Sequence, residues 1–337
     1  VLGIGQLTAQ YGQRNAADLD RYVSYEQPLG SIAQHVARSQ RNAAAVDWKE
    51  AQAEAQLRAV ERDVALLVAE YEVARGRLAF AERIHSQLSR DAGRIQARVD
   101  AGEWSATEGR SAQLALDQWQ VTLARLEAQL QDLVADLATA TGLAWPLAPQ
   151  ALTPQAMLLD ADTTLHPALL AALEGAQRTA QAEARLAGAE AWSPQWSVGG
   201  FRQELEKVPG FQGVVVGMSV PLDPAAQARR RQSRISSAMA EVETEYGARQ
   251  MRQDFAAQRA NAARWALRAP READWTKLRL LFEGLSAQLR EGEVNFYEYR
   301  LAQSGAWDLA QAHFDAELAA RSAACQVRFY QSSHPSL

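Results

Sequence analysis

Residues 213–233 read GVVVGMSVPLDPAAQARRRQS, and this stretch decides the fold. In its first eight residues Val214, Val216, Met218 and Val220 alternate with Gly213, Val215, Gly217 and Ser219. Successive side chains of a strand point to opposite faces, so this is a strand with one apolar face and one small or polar face. Pro221-Leu222 ends it. Proline favours an extended residue before it and suits the first turn of a helix. The Ala-, Gln- and Arg-rich run that follows reads as the start of a long helix.

Upstream, Trp196–Leu205 (WSVGGFRQEL) is a partner strand, joined through a turn at Lys207-Val208-Pro209-Gly210. The same plan occurs about 190 residues earlier, so the chain is two tandem repeats. There Val1–Tyr11 (VLGIGQLTAQY) is the first strand, 12–20 (GQRNAADLD) a polar loop, and Arg21–Gln27 (RYVSYEQ) the second strand, ending at Pro28-Leu29. Pro28 and Pro221 thus mark matching strand-to-helix junctions.

Few glycines and no proline interrupt residues 31–99. Val60, Val64, Leu67, Tyr71, Ala74, Leu78, Ala81, His85, Leu88, Ala92, Ile95 and Val99 keep a strict 4-3 spacing. Ala112, Leu116, Trp119, Leu123, Leu126, Leu130, Leu133 and Leu137 repeat it on a return helix. A sustained 3.5-residue period means helices packed side by side with a left-handed supercoil. Roughly 70 helical residues reach about 105 Å, far more than a compact domain needs. His85 lies on the stripe with no second ligand at metal spacing, and reads as a hydrogen-bonded interface histidine.

The reversals match too. Asp100-Ala101-Gly102-Glu103-Trp104-Ser105-Ala106-Thr107-Glu108 corresponds to Arg290-Glu291-Gly292-Glu293-Val294-Asn295-Phe296-Tyr297-Glu298. Glycine ends a helix in the left-handed conformation. Ser105 with Glu108, and Asn295 with Glu298, form capping boxes for the next helix. Pro270, in ALRAPREADW, interrupts the second long helix and predicts a break there. Residues 143–165 are Pro-rich and irregular, and a shorter helix is expected from His166 to about Ala191. The first repeat shows no such lead-in helix. The chain opens at Val1 within a strand-like stretch, so that helix and any signal sequence are expected upstream of it.

The expected domains are a β-hairpin at 1–30, a long helical hairpin at 31–142 with its tip near 100–108, and a linker and lead-in helix at 143–192. A second β-hairpin follows at 193–222, and a second helical hairpin at 223–332 with its tip near 290–298. The fold class is mainly α with a small β part.

With 35 basic and 40 acidic residues the net charge is −5, which speaks against nucleic-acid binding. One cysteine, Cys325, excludes an internal disulfide framework and reads as a packed side chain. No 18-residue apolar run suggests a membrane-spanning helix. HExxH, P-loop, GxSxG and CxxC motifs are absent, and Gly3-Ile-Gly5 lacks the rest of a dinucleotide fingerprint. No enzyme, cofactor or metal site is expected.

Four strands cannot close a membrane barrel, since known ones start at about eight. Either the strands make a small soluble sheet, or several copies share a barrel; three would supply twelve strands. Strands of about ten residues have the length to cross a membrane when tilted.

The order of ribbon, Pro-Leu junction, long helix and Gly-Glu reversal, with the phrases GVVVGMSVPLDPAAQARRRQS, LREGEVNFYEYRLAQ (289–303) and LATATGL (137–143), resembles the TolC-type outer-membrane efflux family. Within it the heavy-metal, CzcC-like branch is the first expectation. The resemblance implies a homotrimer with a twelve-strand barrel in outer-membrane lipid and an α-helical tunnel in the periplasm. It implies a periplasmic adaptor as partner, an inner-membrane transporter reached through it, and passive exit of metal ions or drugs. Adaptor docking and gating would then fall on Arg98, Asp100, Gly102, Glu103, Ser105 and Glu108, and on Arg290, Glu291, Gly292, Glu293, Asn295 and Glu298. Asp100, Glu103, Glu291 and Glu293 would ring the entrance with carboxylate and favour cations. The alternative is a soluble, structural coiled-coil scaffold without channel activity.

Overall fold

The structure, a computed structural model, describes residues 6–15, 18–144, 164–192, 195–205, 208–219 and 224–331. The described residues are mostly helical, with four strands. The order is β1 (Gln6–Asn15), β2 (Asp18–Gly30), α1 (Ile32–Asp100), α2 (Ala106–Thr141), α3 (Pro167–Trp192), β3 (Gln195–Leu205), β4 (Val208–Ser219), α4 (Pro224–Arg268), α5 (Glu272–Glu291) and α6 (Phe296–Tyr330). No helix among the described residues is long and apolar enough to cross a membrane. The chain divides into two compact units, Val1–Ala55 with Pro167–Met251, and Gln56–His166 with Arg252–Leu337.

The first unit holds one antiparallel sheet in the order β1-β2-β3-β4, so the two ribbons pair with each other through β2 and β3. The ribbons are longer than their sequence suggests. The polar loop expected at 12–20 is largely strand, with Gly12 opposite Asp20 and Gln13 opposite Leu19. The turn expected at 207–210 likewise begins β4 at Val208. Ladder hydrogen bonds come from the backbone, so polar side chains do not end a ribbon. Pro28 is not at the start of a helix; it lies in β2, a central strand, opposite Ser197. The register shifts between Pro28 and Gly30, and such a bulge accommodates a residue without an N–H. Pro221 lies outside the described residues.

Across β3 and β4, Trp196 faces Met218, Val198 faces Val216 and Gly200 faces Val214. The five large apolar side chains of these pairs are exposed. On the opposite face, a Cβ at Gly213 would come within 2.6 Å of the Phe201 ring and one at Gly217 within 2.5 Å of Ser197 Oγ. The glycines in the Gly/Val alternation therefore make room for their cross-strand partners.

Beside the sheet, α3 packs on both long helices of this unit. Gly175 lies against Trp48, where a Cβ would meet the Trp48 Cα at 3.0 Å, and Thr179 Oγ1 sits between the Gly175 carbonyl at 2.9 Å and the Ala44 carbonyl at 3.2 Å. Thr244 Oγ1 of α4 lies 3.3 Å from the Leu173 carbonyl and donates to the Ala240 carbonyl of its own helix at 2.7 Å. Two apolar seams at 3.5-residue spacing stay exposed: Ile32, Val36 and Val46 on α1, and Ile235, Met239, Val242 and Tyr246 on α4.

The second unit is a helical bundle. Ala81, Leu88, Ala92 and Ile95 of α1 join Ala112, Trp119 and Leu126 of α2, Phe282 and Leu289 of α5, and Phe296, Tyr299 and Phe314 of α6 in one core. Phe80 sits at its centre, 5.6–6.2 Å from Trp275, Phe282, Trp307 and Phe314. A second cluster joins Phe255 and Ala262 to Ala323 and Val327. The helix breaks at Pro270: α4 stops at Arg268 and α5 starts at Glu272. The Arg271 N–H donates to Asp274 Oδ2 at 3.0 Å, restarting the helix. That bond holds the Asp274 carboxyl below its ordinary pKa. Cys325 is buried, and burial pushes its thiol pKa up.

Candidate functional site

Both helix reversals lie in the second unit and share one construction. Gly102 and Gly292 each have φ of 76°. Gly102 N–H donates to the Val99 carbonyl at 3.0 Å and Glu103 N–H to the Arg98 carbonyl at 2.9 Å. Gly292 N–H reaches the Leu289 carbonyl at 3.4 Å and Glu293 N–H the Gln288 carbonyl at 2.9 Å. This pair of bonds satisfies the last carbonyls of each helix. Three residues after each glycine a cap starts the next helix. Ser105 Oγ accepts from Glu108 N–H at 3.3 Å, and Ser105 N–H donates to Glu108 Oε2 at 3.0 Å. Asn295 Oδ1 accepts from Glu298 N–H at 2.9 Å, and Asn295 N–H donates to Glu298 Oε2 at 3.1 Å.

An alanine at Gly102 or Gly292 would meet no atom within 4 Å, so its cost is the left-handed backbone alone. Each Gly→Ala variant is expected to lose about 1–2 kcal/mol, read as a fall of a few degrees in the thermal midpoint of the helical signal.

The two reversals touch. Arg98 Nη2 donates to the Arg290 carbonyl at 2.8 Å, while the Arg98 guanidinium lies 5.4 Å from the centre of the Trp104 ring. Arg98 Nε is 4.0 Å from Glu103, a long and exposed pair. Asp100 accepts from Gln96 Nε2 at 2.9 Å, and Arg290 Nε donates to the Ser286 carbonyl at 3.3 Å. Glu291 ends α5. All twelve tip residues named from the sequence therefore belong to these two turns or their flanks.

Sequence reasoning missed the residues just above the turns. Asp91 of α1 is 1% exposed. Its Oδ2 accepts from Ser286 Oγ of α5 at 2.7 Å and from Tyr299 OH of α6 at 3.1 Å, and its Oδ1 from Arg94 at 3.1 Å. The chain continues through Gln303, whose Nε2 lies 3.5 Å from Tyr299 OH, and Arg300, which donates to Gln303 at 2.9 Å and to Gln118 of α2 at 3.1 Å. Four helices are thereby tied by polar side chains. Burial first, and the Asp91 carboxylate second, push the Tyr299 hydroxyl far above the ordinary tyrosine pKa. The one available sequence signal was a carboxylate three residues after Leu88, beside the core stripe.

His85 lies on α1 in the second unit, and its Nε2 is buried without a hydrogen-bond partner. Among the described residues, no group of three or more His, Cys, Asp or Glu side chains is placed to hold a metal ion.

No family model matches the chain, and no curated protein matches it by sequence. Solved structures do match. A membrane protein from Pseudomonas aeruginosa aligns with a TM-score of 0.74 at 16% identity, over 99% of this chain and 83% of that one. CusC, described for the conformational changes that accompany folding and transmembrane channel formation, aligns at 0.71 and 14%, over 97% and 82%. The Campylobacter jejuni CmeC outer membrane channel aligns at 0.69 and 10%, over 98% and 78%. Shared over nearly the whole chain, this architecture shows that the protein has the fold of the TolC-type outer-membrane efflux channels its sequence resembles.

Proposed function

We propose that the protein is the outer-membrane duct of a tripartite efflux system, a passive exit route that does no chemistry of its own. The observation that carries this reading is the sheet. Among the described residues β1 and β4 each pair on one side only, and Trp196, Val198, Val214, Val216 and Met218 form an exposed apolar face. Unpaired edges are intolerable in lipid, and closing the sheet requires further copies. The strands are 10, 13, 11 and 12 residues long, enough to cross the outer membrane when tilted.

In this reading three protomers supply a twelve-strand barrel from 1–30 and 193–222. The helical hairpins 31–142 and 223–332 line a periplasmic tunnel, with 143–192 as the linker and lead-in helix between them. The exposed seams on α1 and α4 support self-association: two different apolar edges on one protomer suit a head-to-tail ring. A soluble scaffold has no use for the apolar sheet face.

The reversals at Arg98–Glu108 and Arg290–Glu298 are the periplasmic end, where an adaptor docks and the duct opens. Three copies of Asp100, Glu103, Glu291 and Glu293 there favour cationic cargo, in keeping with a heavy-metal branch. Replacing all four by Asn or Gln is expected to bring the cation-to-anion permeability ratio toward unity in single-channel recordings; unchanged selectivity removes the acidic entrance.

The reading as a whole is tested by expressing the chain behind an export signal. It should sediment with the outer membrane, require detergent, run as a trimer and conduct in planar bilayers. A detergent-free soluble monomer with its strands intact overturns it.

A further inference from the structure

In the first unit, the opening turns of α4 carry Arg229, Arg230, Arg231 and Arg234, and the sequence from Pro224 to Ala240 holds no Asp or Glu. Basic charge at the start of a helix opposes its macrodipole, so these arginines do not serve α4 itself. Nor does the rest of the unit neutralise them all. Arg229 lines a cavity with Arg41, Glu183 and Glu190. Those two carboxylates of α3 lie 3.6 Å from Arg41 and Arg38 of α1. Among the described residues, Arg230, Arg231 and Arg234 have no carboxylate at ion-pair distance. Arg231 and Arg234 are exposed, and the half-buried Arg230 has its guanidinium 5.9 Å from the centre of the Trp192 ring. Positions 230, 231 and 234 are neighbours on one side of a helix.

Two exposed tryptophans mark the same level. Trp192 ends α3, and Trp196, opposite Met218, lies at the helix end of the apolar sheet face. An indole suits the edge of a bilayer, because its ring is apolar and its N–H polar. We propose that Arg230, Arg231 and Arg234, with Trp192, form a collar that binds the headgroups of anionic phospholipids where the barrel leaves the membrane. The proposal rests on the duct reading and adds the class of lipid that borders the protein. A headgroup layer is about 5–8 Å deep, and the three arginines span about 6 Å of α4, beginning about 9 Å beyond Pro224. Guanidinium groups bind phosphate oxygens in pairs, while their stems lie along apolar surface. If the arginines lined the duct instead, Trp192 beside them would stand in water.

The test uses the full chain in phosphatidylcholine bilayers that hold a trace of spin-labelled phosphatidylglycerol or spin-labelled phosphatidylcholine. Electron spin resonance should show phosphatidylglycerol enriched about threefold or more in the motionally restricted shell, and less so as salt rises. Arg230→Gln/Arg231→Gln/Arg234→Gln should bring this ratio close to one. Arg230→Lys/Arg231→Lys/Arg234→Lys should keep most of it, since the charge is retained. If the triple Gln variant melts early, Arg231→Gln/Arg234→Gln, at two exposed positions, takes its place. Equal restriction of the two lipids by the unmodified protein, or a preference that survives loss of the charges, overturns the proposal. So does full displacement of the preference by inorganic phosphate at constant ionic strength, which marks a site for a bare anion. A changed single-channel conductance with an unchanged lipid ratio puts the arginines inside the duct and also overturns it. The two readings fail differently: a conducting protein without lipid preference sinks the collar alone, whereas an unmodified chain that does not enter bilayers sinks the duct.

Discussion

Asp91→Ala is expected to lower the stability of the second unit by about 3–5 kcal/mol, the range for breaking a buried charged network by removing one partner. Asp91 is almost fully buried and accepts from three donors on three helices. Without it, Tyr299 OH and Ser286 Oγ lose their acceptor inside the bundle, and each such group costs about 1–3 kcal/mol. Tyr299→Phe removes one donor and leaves the carboxylate two others, so its loss should be about 1–2 kcal/mol. Thermal or denaturant unfolding of the solubilised protein, followed by helical circular dichroism, gives the order wild type, Tyr299→Phe, Asp91→Ala. Equal midpoints for all three would mean that the network contributes nothing.

The same network predicts an alkaline dependence. The folded state holds the Tyr299 proton far above the ordinary pKa, while the unfolded chain releases it near about 10. Below that pH neither state is ionised at this residue and its contribution is intact. Above it, ionisation stabilises the unfolded chain alone, so stability falls as pH rises. Tyr299→Phe should lack this part of the fall.

The second large effect concerns the sheet. Val216→Arg places a charge at the middle of the exposed apolar face, opposite Val198. If that face meets lipid, an arginine near mid-membrane costs about 2–4 kcal/mol per copy. Three copies would multiply this to roughly 6–12 kcal/mol per trimer. Trimers in the outer-membrane fraction should nearly disappear, with protein accumulating unassembled. Val215→Thr lies on the opposite face, opposite Gly199, and should assemble normally. Normal trimers of Val216→Arg in lipid would show that the face lies elsewhere.

Much of this fold was legible because its signals are local. A period of two marked the strands around Gly213, and a period of 3.5 marked α1 and α2. Gly102, Gly292, Ser105 and Asn295 announced their turns through backbone preference and a hydrogen bond three residues long. Pro270 announced a break. The ribbon ends were misread at 12–20 and 207–210 because ladder bonds are made by backbone groups and leave little trace in side-chain type.

What the amino-acid order determined by itself, then, is what a residue and its neighbours within about two turns set, namely element type, cap and break, together with the recurrence of that local plan in two repeats. Only the tertiary structure decided which elements meet. It joined β2 to β3, set Arg98 on the Arg290 carbonyl, and brought Ser286 to Asp91 across 195 positions of chain. Taken alone, Asp91 and Ser286 read as helix surface. A polar side chain gains its role from burial and from the partner opposite it, and both arise only when distant segments pack.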